Sequence, residues 1–138
     1  MANTLKLEIV TPDARVFSDD VEMVTLPGAE GEMGIYPQHV PLMAEIDAGE
    51  LTARKDGQDI VLAVGDGFVQ ITGERVAILT DMAVRAENID EVKVEEARRR
   101  AEARLSEKLE DEEAAKVQAA LSQSIVQLKV ARKRQHKH

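Results

Sequence analysis

Apolar and polar residues alternate with a period of two over the first part of this 138-residue chain and with a period of three to four over the rest. Leu5, Leu7 and Ile9 alternate with Lys6 and Glu8, which gives one strand an apolar face and a solvent face. Apolar-rich runs at 21–26, 42–46, 51–55, 60–64, 68–72 and 76–80 predict further short strands. Asp56-Gly57 and Gly73-Glu74 stand where hairpin turns belong, and Gly65 and Gly67 divide what would otherwise be one long strand. Many short strands at this spacing predict a β-sandwich or a flattened barrel over residues 1–86.

After Arg85 the period lengthens. Asp90 suits an N-cap, and Val94, Ala97, Ala101 and Leu105 recur every three or four residues along one narrow stripe. Residues 106–111 are polar enough to hold a turn, although neither Gly nor Pro marks it. A second helix is expected over 112–134, with Ala114, Val117, Leu121, Ile125 and Leu128 on its stripe. A short connection makes the pair an antiparallel two-helix hairpin occupying residues 87–138. Burying an alanine removes little surface from water, at about 25 cal/mol per Å², so an alanine-rich seam is marginal and able to open. A permanently packed hairpin is the ordinary alternative, and periodicity alone slightly favours it.

Composition narrows the functions open to such a chain. Phe17, Tyr36 and Phe68 are its only aromatic residues, so it has no platform for stacking bases or sugars. Without cysteine it forms neither disulfides nor thiolate zinc sites, and it suits a reducing compartment. The N-terminus does not read as a leader, and the longest apolar run, 60–64, is far too short to span a bilayer, so a soluble protein without membrane insertion is expected. The formal net charge of −8 is unevenly spread: residues 1–86 carry 15 acidic and 6 basic side chains, residues 87–138 carry 11 and 12. An acidic first part does not suit nucleic acid. No acid follows Glu113, whereas Lys116, Lys129, Arg132, Lys133, Arg134 and Lys137 do. That basic end reads either as a solvated face whose cations favour the helix C-terminus or as an arm for an acidic protein surface. His136 and His138 fall in a tail expected to be disordered.

Residues 27–42 are the densest in information. Gly28, Gly31 and Gly34 at a spacing of three, with Pro27, Pro37 and Pro41, read as a shaped loop carrying Glu30, Glu32 and His39. Spaced glycines let backbone N–H groups approach phosphate, but no Lys-Ser or Lys-Thr follows them, and the two glutamates would repel a phosphate. Carboxylates plus imidazole also suggest a metal site or an acid/base pair. The three residues lack helical i, i+4 spacing, and an enzyme built on them would need all three around one concave pocket.

Gly28, Gly31, Glu32, Gly34, Ile35, Pro37, His39, Pro41 and Leu42 match the signature of the epsilon subunit family of bacterial F-type ATP synthases, Gly-x-x-Gly-Glu-x-Gly-Ile-aliphatic/Tyr-Pro-x-His-x-Pro-Leu. The resemblance runs on through Ile9-Val10-Thr11-Pro12-Asp13, Gly67-Phe68-Val69-Gln70-Ile71, Ile78-Leu79-Thr80-Asp81 and Ala86-Glu87-Asn88-Ile89-Asp90, and so covers the whole chain. It implies a non-catalytic subunit of the rotor, without catalytic residues, metal or cofactor. The sandwich of residues 1–86 would bind the gamma shaft and rest on the ring of c subunits. The hairpin of residues 87–138 would fold or extend, and when extended would obstruct ATP hydrolysis by the alpha/beta catalytic subunits. The resemblance sets Glu32 towards the c ring and His39 at gamma. The charge of Lys129, Arg132, Lys133 and Arg134 suits acidic segments of the catalytic subunits. It also implies peripheral attachment at the cytoplasmic face of a bacterial inner membrane. A free-standing β-sandwich binding module is the alternative, and it leaves the hairpin without a role.

Some members of that family bind ATP through Ile/Leu-Asp-x-x-Arg-Ala. Here residues 89–94 read Ile-Asp-Glu-Val-Lys-Val: Asp90 is kept, but Lys93 and Val94 replace the arginine and the alanine. Lysine lacks the planar fork of arginine, Val84 stands where the family has an acid, and Gln123 and Gln127 stand where nucleotide-binding members have arginines. Arg100 remains a candidate contact, and weak or absent ATP binding is expected.

Overall fold

Strand pairing in the computed structural model, which describes residues 3–135 and side chains as far as Lys133, follows the alternation read above. Ten strands, β1 (Leu5–Val10), β2 (Arg15–Val21), β3 (Met23–Gly28), β4 (Gly31–Ile35), β5 (Leu42–Ile46), β6 (Gly49–Lys55), β7 (Gln58–Val64), β8 (Gly67–Thr72), β9 (Arg75–Thr80) and β10 (Ala83–Arg85), precede a 3₁₀ turn at Ala86–Asn88. Helices α1 (Glu91–Leu105) and α2 (Asp111–Gln135) follow. Hydrogen-bonded order runs β10-β7-β6-β3-β5-β8-β9-β1-β2, with β4 on the side of β3, and β1 pairs with β9 in parallel. The strands enclose one apolar core in which Leu7, Ile9, Leu26, Ile35, Leu51, Leu62 and Ile78 lose all their exposure, the β-sandwich that the pattern predicts. An ion pair between Lys55 on β6 and Asp19 on β2 joins the last strand of that order to β6. At the β6–β7 turn Asp56 and Gly57 have φ of 53° and 76°, the paired positive angles that an Asp-Gly hairpin turn provides.

Residues 27–42 depart from the expected loop. They open as a hairpin: β3 runs through Pro27 to Gly28, Ala29 and Glu30 make a two-residue turn, and β4 returns from Gly31. Only 36–41 is irregular. Two of the glycines that suggested a loop serve the hairpin turn instead: a Cβ at Gly28 would stand 2.6 Å from the Gly31 carbonyl oxygen, and Gly31 has a φ of 124°. Strand β2 was hidden in the sequence by Ser18-Asp19-Asp20, and the run 21–26 is divided, Val21 closing β2 and Met23 opening β3.

Asp90 caps α1 by accepting a hydrogen bond from the Lys93 backbone N–H at 3.2 Å. The helices form the expected antiparallel hairpin, but the second stripe is rotated from its predicted place. Ile125 is 49% exposed, while Ser124, Leu128, Val130 and Ala131 are buried. Two neighbours divide the C-terminal half of α2. It packs on α1 and also on β7, β6 and the 3₁₀ turn, where Val126 and Val130 join a second small core with Ala63, Met82 and Ala86. The buried Ser124 hydroxyl is satisfied by donating to the Ala120 carbonyl at 3.0 Å.

Candidate partner-binding surfaces

The β3–β4 hairpin and β5 border a groove of about 590 Å³ lined by residues 28–33 and 42–45. Glu30 and Glu32 stand on its rim with Glu45, and Met33, Leu42 and Met43 form its apolar walls. His39 does not line it. The imidazole is half-buried in the 36–41 loop, and its Nδ1 donates to the Val40 carbonyl at 2.7 Å. The three residues that an acid/base or metal reading would need are therefore not gathered around this groove.

The outer face of β5, β8 and β9 carries an apolar patch. In the register of β5, β8 and β9, Ala44, Val69 and Ile78 are aligned and turn inward, so Glu45, Phe68 and Leu79, aligned in the next row, turn outward, as Met43 does. Phe68 is 52% exposed, Leu79 55% and Met43 66%; Tyr36 and Val40 in the loop before β5 are exposed too, Tyr36 beside Glu22, Met23 and Arg54. The signal was present in the sequence. Phe68 and Leu79 occupy the strand parity that Gln70 and Thr72 hold as polar residues, so each interrupts the alternation on the solvent face.

The basic end of α2 is already engaged. Arg132 reaches Glu95 at 3.1 Å and Glu91 at 3.6 Å on α1, whereas Lys133 turns to Glu50 on β6 at 2.7 Å. The Glu50 carboxylate holds the Lys133 ammonium above its ordinary range, with a smaller contribution from Glu32. Hydrogen bonding from Arg98, helped by the charge of Arg132, holds the Glu95 carboxyl below the usual carboxylate range. Lys129 is exposed and forms no salt bridge among the described residues. The side chain of Arg134, and all of His136, Lys137 and His138, lie outside the described residues. No local sequence signal could have paired Glu50 with Lys133, because tertiary packing alone brings them together.

Of the three candidates for nucleotide contact, Asp90 spends its carboxylate on the helix cap, and Lys93 and Arg100 are exposed two turns apart on α1. No helix among the described residues is long and apolar enough to cross a membrane.

Comparison with known proteins matches residues 4–86 to the family model described as ATP synthase, Delta/Epsilon chain, beta-sandwich domain, and residues 87–132 to the long alpha-helix domain of the same chain. Relatives named ATP synthase epsilon chain include one from Dehalococcoides mccartyi, 46% identical over 131 residues and covering 94% of both chains. Another, from Desulforamulus reducens, is 38% identical over 95% of this chain and 99% of its own. Among solved structures, a chain of the Euglena gracilis mitochondrial ATP synthase superposes with a TM-score of 0.69 at 24% identity, covering 88% of this chain and 78% of that one. A chain of the central stalk and c ring structure from Tetrahymena thermophila gives 0.57 at 15% identity, covering 92% and 96%. At these identities the two structures share the fold, while the family models and curated relatives span nearly the whole sequence: the chain belongs to the ATP synthase delta/epsilon chain family.

Proposed function

We propose that this chain is a non-catalytic central-stalk subunit of an ion-translocating F-type ATP synthase, coupling rotation of the c ring to ATP synthesis and restraining ATP hydrolysis through its helices. In this reading residues 1–86 bind the gamma shaft and the c ring, residues 87–138 regulate, and the assembly sits peripherally on the cytoplasmic face of a bacterial inner membrane. The observation that carries it is the outward apolar face of Met43, Phe68 and Leu79 on β5, β8 and β9. An apolar face of this kind on a well-packed sandwich is stabilised by a protein partner, and its burial yields about 25 cal/mol per Å². Gamma is that partner, and His39 is a further gamma contact from the 36–41 loop. Glu32, on the outer strand β4, faces the c ring.

Regulation follows from the placement of α2. Its last two turns hold the hairpin on the sandwich, and the cations that would meet acidic segments of the catalytic subunits in the extended state, Arg132 and Lys133, are bound to Glu91, Glu95 and Glu50 while the hairpin is folded. Folded and extended states thus compete for the same charges, and Lys129 and Arg134 extend the basic surface. With Asp90 committed to capping and Lys93 in place of an arginine, ATP binds weakly or not at all.

The test is ATP hydrolysis by the cognate catalytic complex that contains gamma but lacks this subunit, titrated with the full chain. The wild-type chain inhibits, a Phe68→Asp chain fails to bind gamma, and a chain with Lys129, Arg132, Lys133 and Arg134 all neutralised binds gamma without inhibiting. A Phe68→Asp chain that binds gamma with unchanged affinity overturns the assignment of the face. Unchanged inhibition by the neutralised chain overturns the role of the cations, and a wild-type chain that does not bind gamma overturns the rotor reading in favour of a free-standing binding module.

A further inference from the structure

Register carried across four ladders places one residue from each of five strands in a single outward row. Glu45 on β5 stands opposite Phe68 on β8, Phe68 opposite Leu79 on β9, Leu79 beside Val10 on β1, and Val10 opposite Arg15 on β2. A bulge in the β1–β2 ladder sets the last of these: Val16 and Phe17 both pack on the core, so Arg15 is left exposed. Strands stand about 4.8 Å apart, so the row is about 19 Å long. It begins in an acid, runs through Phe68, Leu79 and Val10, and ends in a base. Neither Glu45 nor Arg15 forms a salt bridge among the described residues.

Such a row is complementary to its own reverse, with Leu79 at the centre. A closed two-fold contact brings the same patch of both copies together, and so requires a patch of this kind. A two-fold axis parallel to the strands and lying along β9 reverses the row. It sets Glu45 of one copy against Arg15 of the other, Phe68 against Val10, and Leu79 against Leu79. The next outward residues along the axis are compatible with the contact. Ala77 is small enough to let the sheets approach, and the charge of Arg75 is answered by Glu8 of its own chain. An axis along the row instead opposes Glu45 to Glu45 and Arg15 to Arg15, so the charges select between the two orientations.

We infer that the free chain self-associates through this face as a weak two-fold dimer, held by its apolar centre and oriented by its two charged ends. The side chains of Val10, Met43, Phe68 and Leu79 make a centre smaller than that of an obligate dimer, so the contact is reversible. Reversibility suits the face, because gamma covers the same residues, a point that rests on the proposed function. The dimer conceals the apolar surface of the unassembled chain until gamma displaces the second copy.

Sedimentation of the purified full chain, without gamma and at low ionic strength, tests it. The wild type moves from monomer at about 1 µM to mostly dimer at about 300 µM, the behaviour of a weak, transient interface. Glu45→Arg and Arg15→Glu each weaken the dimer at least about tenfold, since the two-fold repeats every like-charge contact. The chain carrying both substitutions exchanges the charges and recovers to within about threefold of the wild type. A wild type still monomeric at the top concentration overturns the inference, as do single variants that dimerise unchanged or a folded double variant no stronger than the singles. Gamma takes no part in these measurements, so their failure leaves the proposed function standing. Added afterwards, gamma converts the dimer into a complex holding one copy of this chain. A gamma complex that retains two copies overturns the sharing of the face, and a dimer that does not respond to gamma overturns the proposed function alone.

Discussion

Lys133 Nζ lies 2.7 Å from a Glu50 carboxylate oxygen, joining the last turn of α2 to the start of β6 across 83 residues of sequence. Its neighbour Arg132 turns the other way, to Glu91 and Glu95 near the start of α1. Adjacent cations thus clamp the sandwich and the first helix to one end of α2, directly above the buried contact of Val126 and Val130 with Ala63, Met82 and Ala86.

Because the Lys133–Glu50 pair is partly exposed, its contribution to docking is small, about 0–1 kcal/mol, and sensitive to salt. Glu50→Gln is expected to speed amide exchange over residues 126–133 at low ionic strength and leave the sandwich strands unchanged. In about 1 M salt the wild type and the variant converge. An effect that persists undiminished in salt would refute an ionic latch.

The seam between the helices has an acid limb and the docking of α2 a basic one. Glu95 titrates below its ordinary value of 4.5, mainly through Arg98 and then Arg132, so its contribution is complete above that value and is lost as the pH falls through the lower folded value. Lys133 titrates above its ordinary 10.5 through Glu50, so its contribution is complete below 10.5 and is lost as the pH climbs through the higher folded value. Helix protection measured against pH therefore forms a plateau bounded by these limbs. Glu95→Gln flattens the acid limb, and an acid limb of full size in that variant would rule Glu95 out as its source.

Val130 is 3% exposed within the small core under α2. Val130→Asp places an unpaired carboxylate there, a penalty large enough to undock α2. Exchange over 126–133 rises towards the rate of free helix, and the sandwich still unfolds cooperatively in urea. Loss of the sandwich transition as well would show that the two cores fold as one unit.

The two glycines of the β3–β4 turn respond to alanine for different reasons. Gly28→Ala drives a Cβ against the Gly31 carbonyl, whereas Gly31 has open space around it but a φ of 124°. Backbone strain at Gly31→Ala costs about 1–3 kcal/mol in urea unfolding. A stability equal to wild type would show that the turn relaxes to an unstrained form.

Much of this architecture was legible because it is written in local chemistry. Alternation placed β1, β5 and β6 to β9, Asp56-Gly57 made its turn, and Asp90 marked the start of α1, each an effect of neighbouring residues on one stretch of backbone. The candidate surfaces were legible only as ingredients. Residues 27–42 could be recognised as special, but their glycines read as a loop, because only the β3–β4 pairing shows Gly28 at a close backbone approach and Gly31 at a positive φ in a hairpin turn. Ile125 was assigned to the buried stripe because helical period alone cannot say that α2 must share its surface between α1 and the sandwich. By itself, then, the sequence determined the family and the type of both helices and of most strands, β2 excepted, since period, caps and turns act over a few residues. Only the tertiary structure decided that Arg132 and Lys133 are neutralised within the chain, that Phe68 and Leu79 form one face with Met43, and that Glu45 and Arg15 end one row across it. Each of these depends on residues far apart in sequence, brought together by burial of a core they do not themselves encode.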